Sequence, residues 1–420
     1  MTKLPRVVRK TAAVVSAVAL SAPLLASGAT AAGASTLRPA AQTTTLQVWT
    51  METASSFTQL LQGFTKETGI KVQVEQVPWA NVNDKLTTAV ASGNGPDVVE
   101  VGLSELPSFV AAGALLNLKP YLKANPVLQD NHYLAAVSSK VTSPRGEDLS
   151  VPWVSDVRIL FYRSDILKQA GISAPPKTWA QLFQDATKLA QRGTNQYGFY
   201  IPQWDSALPV ELTWQAGGQV TGPNGKVTFN SAAFRAAVNF YTSFYKDKLV
   251  PTASDFDQTQ GFISGAAPML ISGPYLAASI NSEAPDLKGK WDVAPLPKDK
   301  DGTSLFAGSN MGIWYKSKNV AASLKLLDYL AKPSTQLQWF KLADELPTNT
   351  SALDAPSLIS DPMVRVYVDQ LRNAEPLPLA PQWNQISTDL LNSLNSIVLD
   401  GANEQATLSK LNTTVASLQH

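Results

Sequence analysis

Residues 45–101 read TLQVWTMETASSFTQLLQGFTKETGIKVQVEQVPWANVNDKLTTAVASGNGPDVVEV, and this stretch decides the fold. Thr45-Leu-Gln-Val-Trp49 alternates apolar and polar residues, the period of a half-buried strand. Phe57, Leu60, Leu61 and Phe64 then recur at the three- and four-residue spacing of one helical face. Gly69 follows where a helix C-cap stands. Ile70-Lys-Val-Gln-Val-Glu75 alternates again. Val82 to Ser92 reads as a second helix, stopped by Gly93-Asn-Gly95, and Pro96-Asp-Val-Val-Glu-Val101 as a third strand. Strand, helix, strand, helix, strand at this rhythm predicts a parallel α/β sheet.

The pattern continues outward with different parts. Leu149 to Pro152, Arg158 to Tyr162 and Tyr197 to Ile201 read as strands. Asp165 to Ala170 and Thr178 to Gln191 read as helices, with Thr178 as N-cap behind Pro175-Pro176. Ala232 to Tyr245 is a long amphipathic helix. In Phe262-Ile-Ser-Gly-Ala-Ala-Pro-Met-Leu-Ile-Ser-Gly-Pro-Tyr275 a Gly turn leads into an apolar strand that ends on Gly273-Pro274. Pro fixes φ and Gly tolerates angles other residues cannot, so the corner reads as a stiff mount for the Tyr275 ring. Trp291 to Pro297 and Ser309 to Tyr315 are strand-like and Ala321 to Leu330 helical. Ser387 to Leu418 reads as helices broken at Gly401.

The chain has 420 residues, enough for two domains, with 16% charged residues against the usual quarter and a net charge of +1. That balance offers no electrostatic case for nucleic acid. The basic cluster that exists, Lys3, Arg6, Arg9 and Lys10, precedes an apolar run from Thr11 to Ala26. Ala29-Thr-Ala31 and Ala32-Gly-Ala34 then fit the A-x-A cleavage pattern, so residues 1–34 read as a secretory signal peptide. A cytosolic amphipathic helix fits poorly, because the run is apolar on every side. Residues 35–45 read as a flexible leader. The absence of cysteine excludes disulfides, zinc thiolates, thiol catalysis and a lipid-modified N-terminal Cys. The expectation is export to a periplasm or the cell surface, not as a lipoprotein, either free or held by an uncleaved N-terminal helix.

From Leu46 to the C-terminus the order of segments resembles the sugar-binding proteins of bacterial ATP-driven (ABC) importers, the maltose-binding-protein-like solute-binding proteins. The resemblance is carried by Phe64-Thr-Lys-Glu-Thr-Gly-Ile-Lys-Val72, Lys85 to Val98 and Val151-Pro-Trp153 with Leu160 to Asp165. It continues in Ala170 to Trp179, Phe262 to Tyr275, Ala294-Pro-Leu-Pro297, Gly308-Ser-Asn310, Ser317-Lys-Asn319 and Leu346-Pro-Thr348. It implies an α/β fold of two lobes, each a mainly parallel sheet flanked by helices. The chain would cross between them near Pro152-Trp153, Gly302 to Ser304 and Ala343 to Pro347. The lobes would be 46–152 plus 305–342, and 153–304 plus 343–420. A mono- or oligosaccharide would sit in the cleft between them, and hinge closure would bury it for delivery to the importer's membrane permease subunits. A monomer without cofactor or metal is expected.

Sugars present hydroxyl edges and C–H faces, so a site needs flat rings and planar polar groups. The ring candidates are Trp49, Trp79, Trp153, Trp204, Trp383 and Tyr275, most at strand ends or in loops. Core packing is the competing fate of any ring. It is the preferred reading for Trp179, Trp291 and Trp339. The polar candidates are Glu52, Asp156, Arg158, Asp205 and Asn310. Gly308-Ser-Asn310 lies where the family brings backbone to the ligand, and Gly273 is a candidate through the corner that carries Tyr275. Asp97 reads as structural. The family usually places Trp after Gly-Pro, where this chain has Tyr275.

A hydrolase or lyase reading finds little support. There are two histidines, His132 and His420, and no G-x-S-x-G, P-loop or dinucleotide fingerprint. A carboxylate pair for glycoside hydrolysis stays possible, but no spacing marks one. Among non-sugar ligands, ferric iron lacks clustered Tyr and His, whereas a polyamine held by Trp and Glu/Asp remains open.

Overall fold

The protein is described from a computed structural model over residues 44–134 and 147–419. The expected signal peptide and residues 35–43 of the leader lie outside the described residues. Among the described residues no helix is long and apolar enough to cross a membrane.

The opening strands form as their alternation requires. β1 (Thr45–Thr50) lies between β2 (Lys71–Gln76) and β3 (Val98–Gly102), parallel to both. The intervening helix Ala54–Thr68 buries Phe57, Leu60, Leu61 and Phe64, each worth about 1.5–3 kcal/mol. Gly69 ends it at φ 73°, donating to the Thr65 carbonyl. Asp97 is structural, as expected. Its carboxylate accepts from the Gln47 amide, Ser317 Oγ and Asn319 Nδ2, tying the start of β3 to the Ser317–Asn319 turn.

The remaining strands are β4 (Val151–Val157), β5 (Ile159–Tyr162), β6 (Met269–Ser272), β7 (Asp292–Ala294), β8 (Ser304–Ile313), β9 (Leu346–Pro347) and β10 (Ala374–Pro376). One sheet runs β2-β1-β3-β8-β4-β9, with β10 parallel to β8; the other runs β6-β5-β7. The expected parallel pairing holds for β2-β1-β3. β8 is antiparallel to β3 and β4, β9 is antiparallel to β4, and β5 is antiparallel to both its neighbours. The second sheet is therefore not mainly parallel. β5 continues the course of β4 with only Arg158 between them. Its direction is set by that passage and not by a crossover helix.

Tyr197 to Ile201 makes no strand ladder, only a bridge from Tyr200 to Leu270. Loop carbonyls satisfy its amides instead: Tyr197 donates to Ala266, and Gly198 and Phe199 to Leu249. The helices otherwise form close to where they were expected, including Trp179–Ala190 with the Thr178 hydroxyl capping Gln181 N. Trp179 is a packing ring, stacked on Phe240 at 4.3 Å, with its indole N–H on Gln215. Trp339, Trp153 and Phe57 form a buried aromatic triad with centroids 5.7–5.9 Å apart. That triad welds helix Ala54–Thr68, β4 and helix Pro333–Ala343 together.

Candidate ligand cleft

A cavity of about 760 Å³ opens where β4, β8 and the approach to β9 lie side by side. Its walls come from separate stretches of chain. Glu52 follows β1, Trp79 stands ahead of helix Val82–Ser92, and Asp156 and Arg158 flank the β4–β5 junction. Trp204 sits in a turn before helix Leu208–Gln215, and Tyr275 is the second residue of helix Pro274–Glu283. Gly308 and Ser309 belong to β8, and Asp344 and Glu345 lead into β9.

Three lining rings keep large exposed faces: Trp79 at 50%, Trp204 at 57% and Tyr275 at 42%. Rings of this size are ordinarily covered, and three of them give this one cavity an exposed aromatic lining. Trp79 is set by Gly102, whose missing side chain leaves the ring room; a Cβ there would stand 2.6 Å from Trp79 Cζ3.

Tyr275 is not on a strained corner. Gly273 has φ −93° and ψ 178°, extended backbone open to any residue, and Pro274 is the first residue of the helix. Glycine is required for space: a Cβ at 273 would meet Asp156 Oδ1 at 2.4 Å. Arg158 Nη1 donates to Tyr275 Oη at 3.1 Å. The Arg158 backbone is held by Ser304, whose hydroxyl accepts from its amide and donates to its carbonyl. Burial works against the guanidinium charge, but Asp156 and Tyr275 outweigh it and hold Arg158 above its ordinary range. Burial pushes the Asp156 carboxyl up, opposed by Arg158 and the Val157 amide.

Carboxyl groups dominate the rest of the wall. Burial first, then the negative charges of Glu100 and Glu345, pushes Glu52 up to about 12. Burial pushes Glu345 up to about 7, with Glu100 and Asp156 adding and hydrogen bonds from Glu52 and Trp339 opposing. Behind the wall Glu211 is raised to about 8, chiefly by burial, although its Oε2 accepts from the Leu305 amide at 2.8 Å. Asp156 Oδ1, Arg158 Nε and Glu211 Oε1 have no protein hydrogen-bond partner. Among the described residues no group of His, Asp or Glu is arranged to hold a metal ion.

Of the residues singled out from sequence, the cavity gathers Glu52, Trp79, Asp156, Arg158, Trp204, Tyr275, Gly308 and Ser309. Gly273 stands directly behind, against Asp156. The others are placed elsewhere. Trp153 is 1% exposed in the aromatic triad, and Trp383 is 2% exposed in the core at the start of its helix. Trp49 packs beside the core with Lys85 Nζ 4.3 Å from its ring centre. Asp205 accepts from Ala207 N within its own turn, and the Asn310 amide donates to Ser150. In these five places a ring or polar group in a strand or turn is engaged by its neighbours and stands outside the cavity lining. Sequence reasoning missed Asp344, Glu345, Glu100 and Glu211. Glu345 directly precedes the Leu346-Pro-Thr348 motif, the sole pointer to it.

A family model for the bacterial extracellular solute-binding protein matches residues 49–337. The chain belongs to that family. This solute-binding protein is 26% identical over 374 residues to the maltooligosaccharide ABC transporter solute-binding lipoprotein of Streptococcus pneumoniae, covering 84% of each chain. It is 24% identical to the galactooligosaccharide-binding protein of Bacillus subtilis, covering 87% of each. The structure of the sugar-binding protein MalE from Xanthomonas citri matches with a TM-score of 0.82 at 28% identity, over 90% of this chain and 97% of that one. The fold is therefore the two-lobe α/β architecture of that protein. The family consists of solute-binding proteins and not of enzymes.

Proposed function

We propose that this solute-binding protein captures an oligosaccharide in the described cleft and delivers it to the permease of an ABC importer. The observation that carries the reading is the set of three exposed rings, Trp79, Trp204 and Tyr275, on three separate elements around one cavity. Several rings suit several sugar faces, and the Asp156 and Arg158 side chains that line the same cavity suit hydroxyl edges. The volume falls within the roughly 300–1,000 Å³ usual for ligand sites.

Binding is reversible and non-catalytic, and the protein works as an exported monomer. The lobes meet along β4 and β8. The packing of Trp153 with Phe57 and Trp339 supports a passage on β4 close to Ser155 to Val157. Closure about these strands is offset by ligand contacts on both sides; a ligand touching one lobe alone would shift nothing.

The acid-rich wall of Glu52, Asp156, Asp344 and Glu345 favours a second reading, a polyamine. Tryptophan fluorescence separates the two. Saturable shifts are expected with maltooligosaccharides or galactooligosaccharides. Shifts with spermidine alone would establish the second reading in place of the first.

A further inference from the structure

Arg158 is the single residue between β4 and β5, and its backbone belongs to neither ladder. The β4 pairing with β8 ends at Val157 opposite Phe306, and the β5 pairing with β6 begins at Ile159 opposite Ser272. Val157 and Ile159 are fully buried, so the amide and carbonyl between them need partners other than a ladder. One hydroxyl supplies both. Ser304 Oγ accepts from the Arg158 amide at 3.1 Å and donates to the Arg158 carbonyl at 2.7 Å. Ser304 is fully buried and is not among the residues lining the cavity. It stands on a stiff mount of its own. It pairs with Ala374 of β10, and its amide donates to the Asn373 carbonyl at 3.0 Å. The Leu305 amide donates to Glu211 Oε2 at 2.8 Å. Gln215 Nε2 donates to the Thr303 carbonyl at 3.2 Å and Gln370 Nε2 to the Gly302 carbonyl at 2.8 Å. Glu211, Gln215 and Gln370 are buried polar side chains, costly unless bonded, and all three direct bonds to residues 302–305.

We propose that Ser304 is a positioning residue for ligand capture: through the Arg158 backbone it fixes the line along which the guanidinium holds the Tyr275 ring in the cleft. The inference rests on the saccharide reading above. Arg158 Nη1 lies at the end of a long side chain, so a small turn of the backbone at 158 displaces it by more than a hydrogen bond tolerates. The mount of the ring starts from the same register: Ile159 faces Ser272, and Gly273-Pro274-Tyr275 follow. Arg158 and Tyr275 therefore extend from paired strands, and the 3.1 Å bond between them holds only while residue 158 keeps its direction. No ladder bond sets that direction; the Ser304 hydroxyl does.

Two measurements test the role. In the ligand-free protein, NMR of tyrosine labelled at the hydroxyl-bearing ring carbon reads the bond from Arg158, with the Tyr275 resonance assigned by its loss in Tyr275→Phe. Arg158→Gln is expected to move that resonance, and Ser304→Ala to move it in the same direction. Ser304→Cys, which fills similar space with a weaker donor and acceptor, should move it part-way and serves where Ser304→Ala does not fold. A Tyr275 resonance that stays at the parent position in the folded Ser304 variant overturns the proposal without reference to a ligand. Calorimetry with maltotriose is then expected to show affinity lowered about three- to tenfold by Ser304→Ala in the parent, and by less than about twofold in the Arg158→Gln background, where the group it positions is gone. Unchanged affinity in the parent background, or a loss of equal size in both, overturns a role through Arg158. Absence of maltotriose binding by a parent whose Tyr275 resonance follows Ser304 overturns the saccharide reading while upholding the positioning of the ring.

Discussion

Arg158 and Tyr275 are joined twice: Nη1 donates to the tyrosine hydroxyl at 3.1 Å, and the guanidinium carbon lies 5.5 Å from the ring centre. The ring's edge is thereby held while its face stays 42% exposed to the cleft. Because the hydroxyl accepts from Arg158, its own proton is free to be donated to a ligand oxygen. Tyr275→Ala should weaken saccharide binding tenfold or more, about 1.4 kcal/mol per factor of ten. Tyr275→Phe, which keeps the face and loses the hydroxyl, should cost less. Fluorescence titration of both variants checks this; equal affinity of Tyr275→Ala and the parent would remove the ring from the site.

Burial separates the rings packed in the core from the rings exposed in the cleft. Trp153→Ala should cost about 3–5 kcal/mol of stability, because it empties the centre of the triad with Phe57 and Trp339. Trp204→Ala should leave thermal unfolding within about 0.5 kcal/mol of the parent and reduce affinity. Calorimetric unfolding alongside ligand titration distinguishes the two.

Two glycines at the cleft should fail differently when given a side chain. Gly308 has φ 130°, and a Cβ would lie 2.0 Å from the Val154 carbonyl oxygen, so Gly308→Ala should destabilise by about 3 kcal/mol or more. At Gly273 the backbone is relaxed and the obstacle is the Asp156 carboxylate. Gly273→Ala should therefore unfold within about 1.5 kcal/mol of the parent yet bind ligand more weakly. Unfolding curves and titrations of both variants provide the comparison.

Glu211 gives the fold a pH dependence of its own. Raised by burial from its ordinary 4.5 to about 8, it contributes stability that is fully present below 4.5 and is lost as pH rises through 8. Glu211→Gln retains an acceptor for the Leu305 amide and cannot ionise. It should match the parent at pH 5 and exceed it by about 1–3 kcal/mol at pH 9. Melting temperatures at the two pH values report the difference.

The fold was legible because its elements carry their own periodicity. β1, helix Ala54–Thr68 and β2 bury the residues their patterns mark, and Gly69 and Thr178 cap where capping chemistry places them. Strand direction beyond β3 was not legible, since nothing local in Val151 to Tyr162 records that one passage feeds both sheets. Tyr197 to Ile201 has strand composition, yet loop carbonyls take its amides. The site was legible where a ring followed Pro or a turn, as at Trp79, Trp204 and Tyr275. Trp153 and Trp383 carry the same local marks and are buried by distant partners. Glu345, 293 positions from Glu52, shows no spacing that could join them; only folding brings both to one cavity.

Trp79, Trp204 and Tyr275 together are the proposed saccharide site. The direct measurement is calorimetric titration of maltotriose into the parent and into the combined Trp79→Ala, Trp204→Ala, Tyr275→Ala variant, with folding confirmed by circular dichroism. Saturable one-to-one binding by the parent and none by the folded variant is the expected result. Undiminished binding by the variant, or no maltotriose binding by a parent that binds spermidine, would contradict it.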